Sequence, residues 1–415
     1  MKKLFALLLA LAMVFTLAGA ALADDEPVTI TLVRTGTPEV LHNIFEPMIE
    51  AFEADHPNIK VNLQDLGWSD ATQSLQTWAS SDTLPDVMYH LPGTIFNLAT
   101  MDKILDLTSY MDDELKEDMF PSMLEAGQFE GKQYMVICNA TSLMLWYNAD
   151  LFEQAGLDPD SPPTTWAEML DACEALSKLD GVKPLGLYAS PAGGETSFVF
   201  ESLFTTEYGG SAWDPETGSY VYDTEEGKEA AVNTLQFLQD LTAYAQDNYV
   251  EYGRFDCRTL LTNGDVAMVL DGINMANQMP DQLADGSMRC ALLPAGASGI
   301  QSTAINCGGW YIPTNCEHPD EAWEFLRYTM QTENQLEHAK YGSVPILKSE
   351  AATYTDGYMA TVAASLENSY AEGICADTDA LWEVNGEQLQ LLMMGEQTAE
   401  ETWEAISEGH ADILG

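Results

Sequence analysis

The chain has 415 residues, of which 46% are hydrophobic and 20% charged, a globular composition with enough chain for two or three domains. Its 16 Lys and Arg stand against 66 Asp and Glu, which gives a formal net charge of −50. This balance argues against a nucleic-acid-binding protein and against docking on an anionic lipid surface, because both need a basic surface.

The N-terminus has the three-part pattern of a secretory signal peptide. Two lysines precede an apolar run from Leu4 to Leu17, and small residues follow at Ala21 and Ala23. The run is shorter than the roughly 20 residues that a membrane-spanning helix needs. We therefore predict a signal peptide over residues 1–23, cleaved near Ala23, and an exported protein that is periplasmic or extracellular. The first cysteine is Cys138, so no lipid-attachment cysteine lies near the predicted cleavage point.

Strand and helix patterns then alternate along the chain. Strands are predicted at 28–33, 59–63, 86–89, 133–147 with an interruption at 139–142, 184–188, 266–270 and 291–293. Helices are predicted at 41–52, 68–80, after the capping box at Thr165, after Thr224, at Pro319 and after Thr398. This alternation predicts an α/β protein with a mostly parallel sheet covered by helices.

The sequence lacks the common catalytic and metal-binding motifs. It contains no GxSxG, HExxH or P-loop motif, and its six histidines have no metal-ligand spacing. Its seven cysteines form no CxxC pair, and their odd number fits small buried hydrophobic side chains better than a disulfide framework. With 66 carboxylates, some pair will always match the spacing of a glycosidase, so no single pair is informative. We therefore predict no metal, no cofactor and no enzymatic activity.

Aromatic and polar residues are found at predicted turns after strands. Tyr89 and His90 end one strand, Asp271 follows another, Trp310 lies in a glycine-rich turn, and Trp382 follows a polar stretch. In open α/β sheets, ligands bind outside the carboxyl ends of strands. Aromatic rings stack on sugar rings, and carboxylates or amides bind sugar hydroxyls. The pattern favours a site for a small polar solute, although core packing explains each single tryptophan equally well.

Several short segments together resemble the extracellular solute-binding proteins of ABC importers, in the group similar to maltose-binding protein. The segments are Phe45–Asn58 with Ile59–Val61, Leu84–Tyr89, Phe129–Tyr134, Leu145–Gly156, Pro163–Met169, Leu261–Gly272 and Glu317–Tyr328. Their order and spacing carry the resemblance, which covers nearly the whole mature chain.

The resemblance implies a two-lobed periplasmic-binding-protein fold, type II-like. Each lobe is expected to be a mainly parallel sheet flanked by helices, with the ligand cleft between the lobes. The implied bounds are 24–140 with 295–341 for lobe 1, 141–294 with 342–415 for lobe 2, and 138–143, 293–296 and 341–345 for the hinge.

The resemblance also implies which residues line the cleft. These are Thr35, Thr37, Tyr89, His90 and Trp310 from lobe 1, Thr141 at the hinge, and Glu195, Asp271 and Trp382 from lobe 2. Many sugar-binding relatives have a tryptophan where this chain has Ile273, which puts the type of sugar in doubt. The sequence leaves open whether Glu39, Trp68 or Tyr188 reaches the cleft.

The function implied is reversible capture of a small solute, most simply a sugar or oligosaccharide. Lobe closure would bury the ligand, and the closed monomer would deliver it to the membrane permease subunits of an ABC importer. Three alternatives stay open. The net charge is compatible with a cationic solute such as a polyamine, and the carboxylates with a secreted glycan-degrading enzyme. A cell-surface interaction protein with a vestigial cleft is the third.

Overall fold

The computed structural model describes residues 27–190, 194–215, 217–373, 375 and 377–414. The predicted signal peptide, residues 1–23, lies outside these residues. In the described part of the chain, no helix combines the length and the apolar character needed to cross a membrane.

The structure contains strands and helices throughout its described length. The strands are β1 (Val28–Thr35), β2 (Ile59–Leu66), β3 (Val87–His90), β4 (Gln128–Phe129), β5 (Lys132–Gln133), β6 (Val136–Asn148), β7 (Lys183–Gly186), β8 (Trp213–Asp214), β9 (Ser219–Tyr220), β10 (Val266–Gly272), β11 (Met288–Ala291), β12 (Thr303–Tyr311) and β13 (Ser369–Ala371). The helices are α1 (Pro38–Asp55), α2 (Trp68–Ser81), α3 (Pro92–Thr100), α4 (Asp113–Asp118), α5 (Pro121–Ala126), α6 (Ala149–Gln154), α7 (Trp166–Leu176), α8 (Glu195–Tyr208), α9 (Glu225–Leu241), α10 (Arg254–Asn263), α11 (Pro280–Asp285), α12 (Pro319–Thr329), α13 (Thr332–Ala339), α14 (Lys348–Ala351), α15 (Gly357–Ser365), α16 (Thr378–Met393) and α17 (Ala399–Leu414).

Nine of the strands form one mixed sheet in the order β2-β1-β3-β12-β6-β10-β7, with β11 added beside β6 and β13 beside β12. β1 runs parallel to both β2 and β3, and β10 runs parallel to β7. The long strands β6 and β12 are antiparallel to each other; β6 also pairs in antiparallel with β10 and β11, and β12 with β3. The sheet is therefore parallel towards its edges and antiparallel in the middle.

Strand β6 connects two halves of the sheet. Its residues up to Ser142 pair with β12, and its residues from Leu143 pair with β10. We call the half with β1, β2 and β3 the first half, and the half with β7, β10 and β11 the second half. The change of partner falls inside the predicted hinge segment 138–143, while the lobe bounds themselves stay a prediction.

Local sequence signals explain how several helices begin and pack. The predicted capping box of α7 is confirmed, because Thr165 accepts a hydrogen bond from the Glu168 amide and Glu168 accepts one from the Thr165 amide. Helix α1 buries a stripe that includes Phe45 and Phe52 against the sheet. It continues through Pro47, which faces solvent and ends neither the helix nor its buried stripe.

Two local predictions differ from the structure. The predicted interruption at 139–142 is absent, because β6 is continuous and its polar residues alternate: Asn139 and Thr141 are half-buried, whereas Ala140 and Ser142 are buried. Trp310 and Asp271 lie within β12 and β10, not on turns after strands. Glycines before Trp310 suggested a turn, but here they let a neighbouring side chain approach the strand.

Candidate functional site

Three parallel strands end at one edge of the sheet. β1 ends at Thr35, β2 at Leu66 and β3 at His90, and helices α1, α2 and α3 begin within three residues of these ends. In open α/β sheets, the crevice outside such ends is where ligands bind. The Thr35 hydroxyl donates to the Tyr89 carbonyl at 3.2 Å and ties two of the ends together. Thr35 is thereby fully buried, while Thr37 at the start of α1 is exposed.

A row of three side chains crosses β1, β3 and β12 behind this edge. Arg34 is in register with Tyr89, and Tyr89 with Trp310. The guanidinium carbon of Arg34 lies 3.1 Å from the centroid of the Tyr89 ring, and the rings of Tyr89 and Trp310 meet edge to face at 5.7 Å. Trp310 is fully buried against Phe45 of α1, so it supports the row from behind and does not face solvent.

An exposed tryptophan stands next to this row. Trp68, at the start of α2, is 49% exposed, and its ring lies 5.6 Å from His90 and 6.5 Å from Tyr89. Burial, together with the charge of Arg34, lowers the pKa of His90 to about 4, so its imidazole is neutral at neutral pH. Trp68 therefore lies at the crevice, a question that the sequence had left open.

The sequence also left open whether Tyr188 and Glu39 reach the cleft. Tyr188 is buried and donates to the Leu270 carbonyl at 3.0 Å. The Glu39 side chain lies outside the part of the chain that the structure describes.

Strands β6 and β12 carry a row of polar residues, which we call the polar floor. Thr141 of β6 is in register with Asn306 of β12, and Asn139 with Gly308. Asn139, Thr141 and Asn306 are each half-buried between buried neighbours. The Tyr89 hydroxyl lies directly over Gly308, where a Cβ atom would come within 2.3 Å of it. Glycine at this position is what allows the Tyr89 ring to lie over the floor.

The second half contributes two arginine–carboxylate contacts. Arg254, at the start of α10, has its Nε 3.3 Å from a carboxylate oxygen of Glu195, at the start of α8. Arg258, one turn later, binds both carboxylate oxygens of Asp271, and its Nη2 donates to Asn274 at 2.5 Å. Asp271 is fully buried and its oxygens are already engaged, so the structure places it behind the surface, where it positions Arg258.

A helix of the second half carries the remaining predicted residue. Trp382 of α16 is half-buried, and a Cβ atom on Gly194 would come within 2.7 Å of its Cε3. One face of the indole therefore lies against the Gly194 backbone. Near the start of the same helix, Thr378 approaches Gly93 of α3, where an added Cβ would lie 3.2 Å from the Thr378 Cβ. α16 thus bridges towards the first half.

A cavity of about 320 Å³ lies at this junction. Its lining residues are Leu75, Gln76, Gly93, Thr94, Asn97, Leu98, Met101 and Asp379. Most come from α2 and α3, Met101 directly follows α3, and Asp379 comes from α16, so both halves contribute to its walls. Among the residues described, no group of three or more His, Cys, Asp or Glu side chains is arranged to hold a metal ion.

The structure therefore separates the predicted site residues into two groups. Thr35, Asp271 and Trp310 are fully buried and support others, and Tyr89 and His90 at the end of β3 are also buried, at 3% and 5% exposed. The remaining residues are exposed or half-buried and lie at the strand ends, on the floor or on the helices of the second half: Thr37, Thr141, Glu195 and Trp382. The sequence reasoning missed Arg34, Arg254 and Asn306. A signal for Arg34 existed, because a lone arginine in a β-branched strand is uncommon in a chain with only five arginines.

Comparisons with known proteins assign the family and the fold. Residues 39–336 match the family described as bacterial extracellular solute-binding protein. The chain is 27% identical over 336 residues to a binding protein of Brucella abortus, covering 81% of this chain and 80% of that protein. It is 28% identical over 304 residues to the lactose-binding protein of Rhizobium radiobacter, covering 68% and 66%.

A solved structure has the same fold. The cyclic alpha-maltosyl-1,6-maltose binding protein from Arthrobacter globiformis superposes with a TM-score of 0.81 at 21% identity, over 94% of this chain and 99% of that one. The predicted two-lobed α/β fold is confirmed by this match, and we refer to the two halves below as the first and second lobes. The family match covers well over half of the sequence, and the chain belongs to the family of bacterial extracellular solute-binding proteins.

Proposed function

We propose that this protein captures a sugar or oligosaccharide between its lobes and delivers it, chemically unaltered, to the permease of an ABC importer. The observation that carries the proposal is the arrangement of aromatic and polar groups around the hinge strands. Trp68 lies on the first lobe and Trp382 on the second, and the polar floor of Asn139, Thr141 and Asn306 lies on β6 and its partner β12. Aromatic faces and amide or hydroxyl groups are the complement of a sugar's apolar ring faces and its hydroxyls.

Closure would act through β6, which pairs with β12 up to Ser142 and with β10 from Leu143. Rotation along this strand would bring α16 and α3 together over a bound ligand. Each sugar hydroxyl buried in this way needs a partner, because an unsatisfied buried polar group costs about 1–3 kcal/mol. Thr141, Asn306 and Glu195 are the groups proposed to supply such partners, and the pattern of partners would set specificity.

The relatives also support a carbohydrate ligand. The Rhizobium radiobacter relative is named for lactose, and the Arthrobacter globiformis structure for a cyclic maltose derivative. A polyamine, which the net charge would suit, finds fewer free carboxylates in the cleft than the composition suggests. Glu195 faces Arg254, and Asp271 is held by Arg258.

The test is calorimetric titration of the mature chain with lactose, maltose, longer maltooligosaccharides and spermidine. We expect a sugar to bind, and Trp68→Ala or Trp382→Ala to weaken that binding several-fold to more than tenfold, since a stacked ring contributes about 0.5–1.5 kcal/mol beyond its buried area. Trp323→Ala, which removes a tryptophan packed on Tyr110 away from the cleft, is the matched control. Binding of spermidine alone, or a sugar recovered in cleaved form, would contradict the proposal.

A further inference from the structure

Arg34 differs from the other four arginines in having no acidic partner among the described residues. Arg254 faces Glu195, Arg258 binds Asp271, and the two remaining arginines pair with surface aspartates. Arg34 is only 8% exposed. Its guanidinium contacts the Tyr89 ring and donates from Nη1 to the carbonyl of Thr35, while Nε has no hydrogen-bond partner among those residues.

A buried cation without a counter-charge is unusual. Charged side chains that leave water are normally paired or hydrogen-bonded, because desolvation disfavours the isolated ion. The cation–π contact with Tyr89 and the Nη1 hydrogen bond to Thr35 compensate only part of this loss, and they leave the Nε donor of the guanidinium without a partner among the described residues. Arg34 therefore has a charge and a hydrogen-bond donor available for a group that the protein itself does not supply.

The neighbouring residues do not neutralise this charge. Asp65 is in register with Arg34 on β2, but its carboxylate is bound by Nε2 of His42 at 2.9 Å. His90, beside Tyr89, has a depressed pKa and is neutral at neutral pH. Across the cleft, the carboxylate of Glu195 already faces Arg254. Arg34 is thus a buried cation that no described carboxylate contacts, in a chain whose net charge is −50.

We propose that the ligand is an acidic sugar, whose carboxylate or phosphate group is bound by the guanidinium of Arg34. This inference rests on the proposed function and narrows it from carbohydrates in general to those that carry an anionic group. The planar fork of an arginine matches both anions with two parallel hydrogen bonds, and charge-assisted bonds of this kind are stronger than neutral ones. The position also fits, because Arg34 lies one residue before the end of β1, at the crevice edge of the sheet.

The test uses ligand pairs that differ in charge alone. The mature chain is titrated with digalacturonate and its neutral dimethyl ester, with glucose 6-phosphate and glucose, and with maltose. We expect the acidic member of one pair to bind at least tenfold more tightly than its neutral partner, and the pair that responds distinguishes a carboxylate from a phosphate. This measurement needs no variant and stays informative if substitutions at Arg34 impair folding.

Variants then assign the preference to Arg34. Arg34→Gln should lower the affinity for the acidic ligand at least tenfold and remove the preference for it over its neutral partner. Arg34→Lys, which keeps the charge but not the planar guanidinium, should have an affinity between those of Arg34→Gln and the unaltered protein. Arg289→Gln, which removes an arginine paired with Asp160 on the surface, should leave both unchanged. Equal or tighter binding of the neutral partners or of maltose would overturn this inference and leave the proposed function standing. No binding of any sugar, neutral or acidic, would overturn both.

Discussion

Arg258 and Asp271 form a two-point ion pair inside the second lobe, with 2.5 Å between Nε and Oδ2 and 2.7 Å between Nη2 and Oδ1. Both side chains are almost completely buried. The Gly272 amide also donates to Asp271 at 2.6 Å, and Trp146 donates to the Asp271 carbonyl at 3.0 Å. The pair therefore fixes the end of β10 to the start of α10, the helix that carries Arg254.

Asp271→Asn should destabilise the protein strongly, because it leaves the Arg258 charge buried without its partner. We expect a loss of about 3–5 kcal/mol in the free energy of unfolding, measured by urea denaturation. Asp160→Asn breaks the exposed pair with Arg289 and should cost about 1 kcal/mol or less. Replacing both partners, as Arg258→Met with Asp271→Leu, should restore most of the loss. If Asp271→Asn and Asp160→Asn lowered the free energy of unfolding by the same amount, this account of the buried pair would be contradicted.

A substitution at Gly93 tests whether α3 and α16 approach each other when ligand is bound, as the contact between Gly93 and Thr378 implies. An added Cβ would lie 3.2 Å from the Thr378 Cβ, so Gly93→Val should hold α3 and α16 apart. Because a ligand stabilises closure only by its differential affinity for the closed form, we expect roughly tenfold weaker ligand binding and a larger radius of gyration with ligand present. Thr100→Val, at the exposed last position of α3 and outside the lining of the cavity, is the control and should behave like the unaltered protein. An unchanged affinity for Gly93→Val would show that the two helices do not approach in the bound state.

Two buried glutamates lie close together behind the polar floor. Glu201 of α8 accepts hydrogen bonds from the Tyr220 hydroxyl at 3.0 Å and from the Gly373 amide at 2.9 Å. Glu372 accepts from the Asn306 side chain at 2.7 Å. Burial raises the pKa of Glu201 to about 7, and burial together with the charge of Glu201 raises the pKa of Glu372 well above its usual range.

This arrangement predicts a pH-dependent loss of stability. Between the ordinary value of 4.5 and about 7, the unfolded chain has released the Glu201 proton while the folded protein retains it, so stability falls as pH rises. Glu201→Gln should remove the part of this slope that Glu201 contributes and raise the free energy of unfolding at pH 8 by on the order of 1–3 kcal/mol, with little change at pH 4.5. Glu372 and Glu350, whose pKa values burial also raises, keep their own contributions.

The comparison must be made between variant and parent at each pH. Buried His90 and His338 have pKa values lowered to about 4, and they act in the opposite sense, adding stability as pH rises towards 6.5. Glu229→Gln, at an exposed position of α9, is the control and should leave the slope unchanged. Parallel pH profiles for Glu201→Gln and the parent would refute the assignment.

All seven cysteines are unpaired thiols in the structure, and only Cys290 is partly exposed. Burial raises the pKa of most of them, for Cys138 and Cys173 to about 12, which suppresses the reactive thiolate. We expect slow reaction of the native protein with a disulfide reagent at pH 8, and seven titratable thiols in urea without reductant. Addition of a reductant should leave the melting temperature unchanged. Fewer than seven thiols in urea would reveal a disulfide.

Much of the fold could be predicted because the local sequence signals favour the same strands and helices that the structure contains. The strand before Arg34 is β-branched and buried, α1 carries its apolar stripe despite Pro47, and the capping box at Thr165 begins a helix where it was expected. The continuity of β6 could not be predicted from local propensity. Asn139 and Thr141 look like a loop in the sequence, and only pairing with β12 shows that they belong to one face of a strand.

The candidate site was harder to predict, because burial depends on contacts between distant segments. Trp310 and Asp271 have the chemistry of ligand contacts, but α1 covers the first and Arg258 engages the second. Arg34 has no acidic partner among the described residues, and Asp65, in register with it on the neighbouring strand, binds His42. None of these outcomes is encoded within a window of a few residues.

The passage of β6 from one half of the sheet to the other has an evolutionary consequence. A single crossover in the gene could not exchange the first half for that of a relative, since this half takes β1, β2 and β3 from before β6 and β12 from after β10. Grafting a foreign lobe would require several simultaneous junctions, all within paired strands. Changes of ligand preference are therefore expected to accumulate by point substitution at the crevice and not by shuffling of lobes.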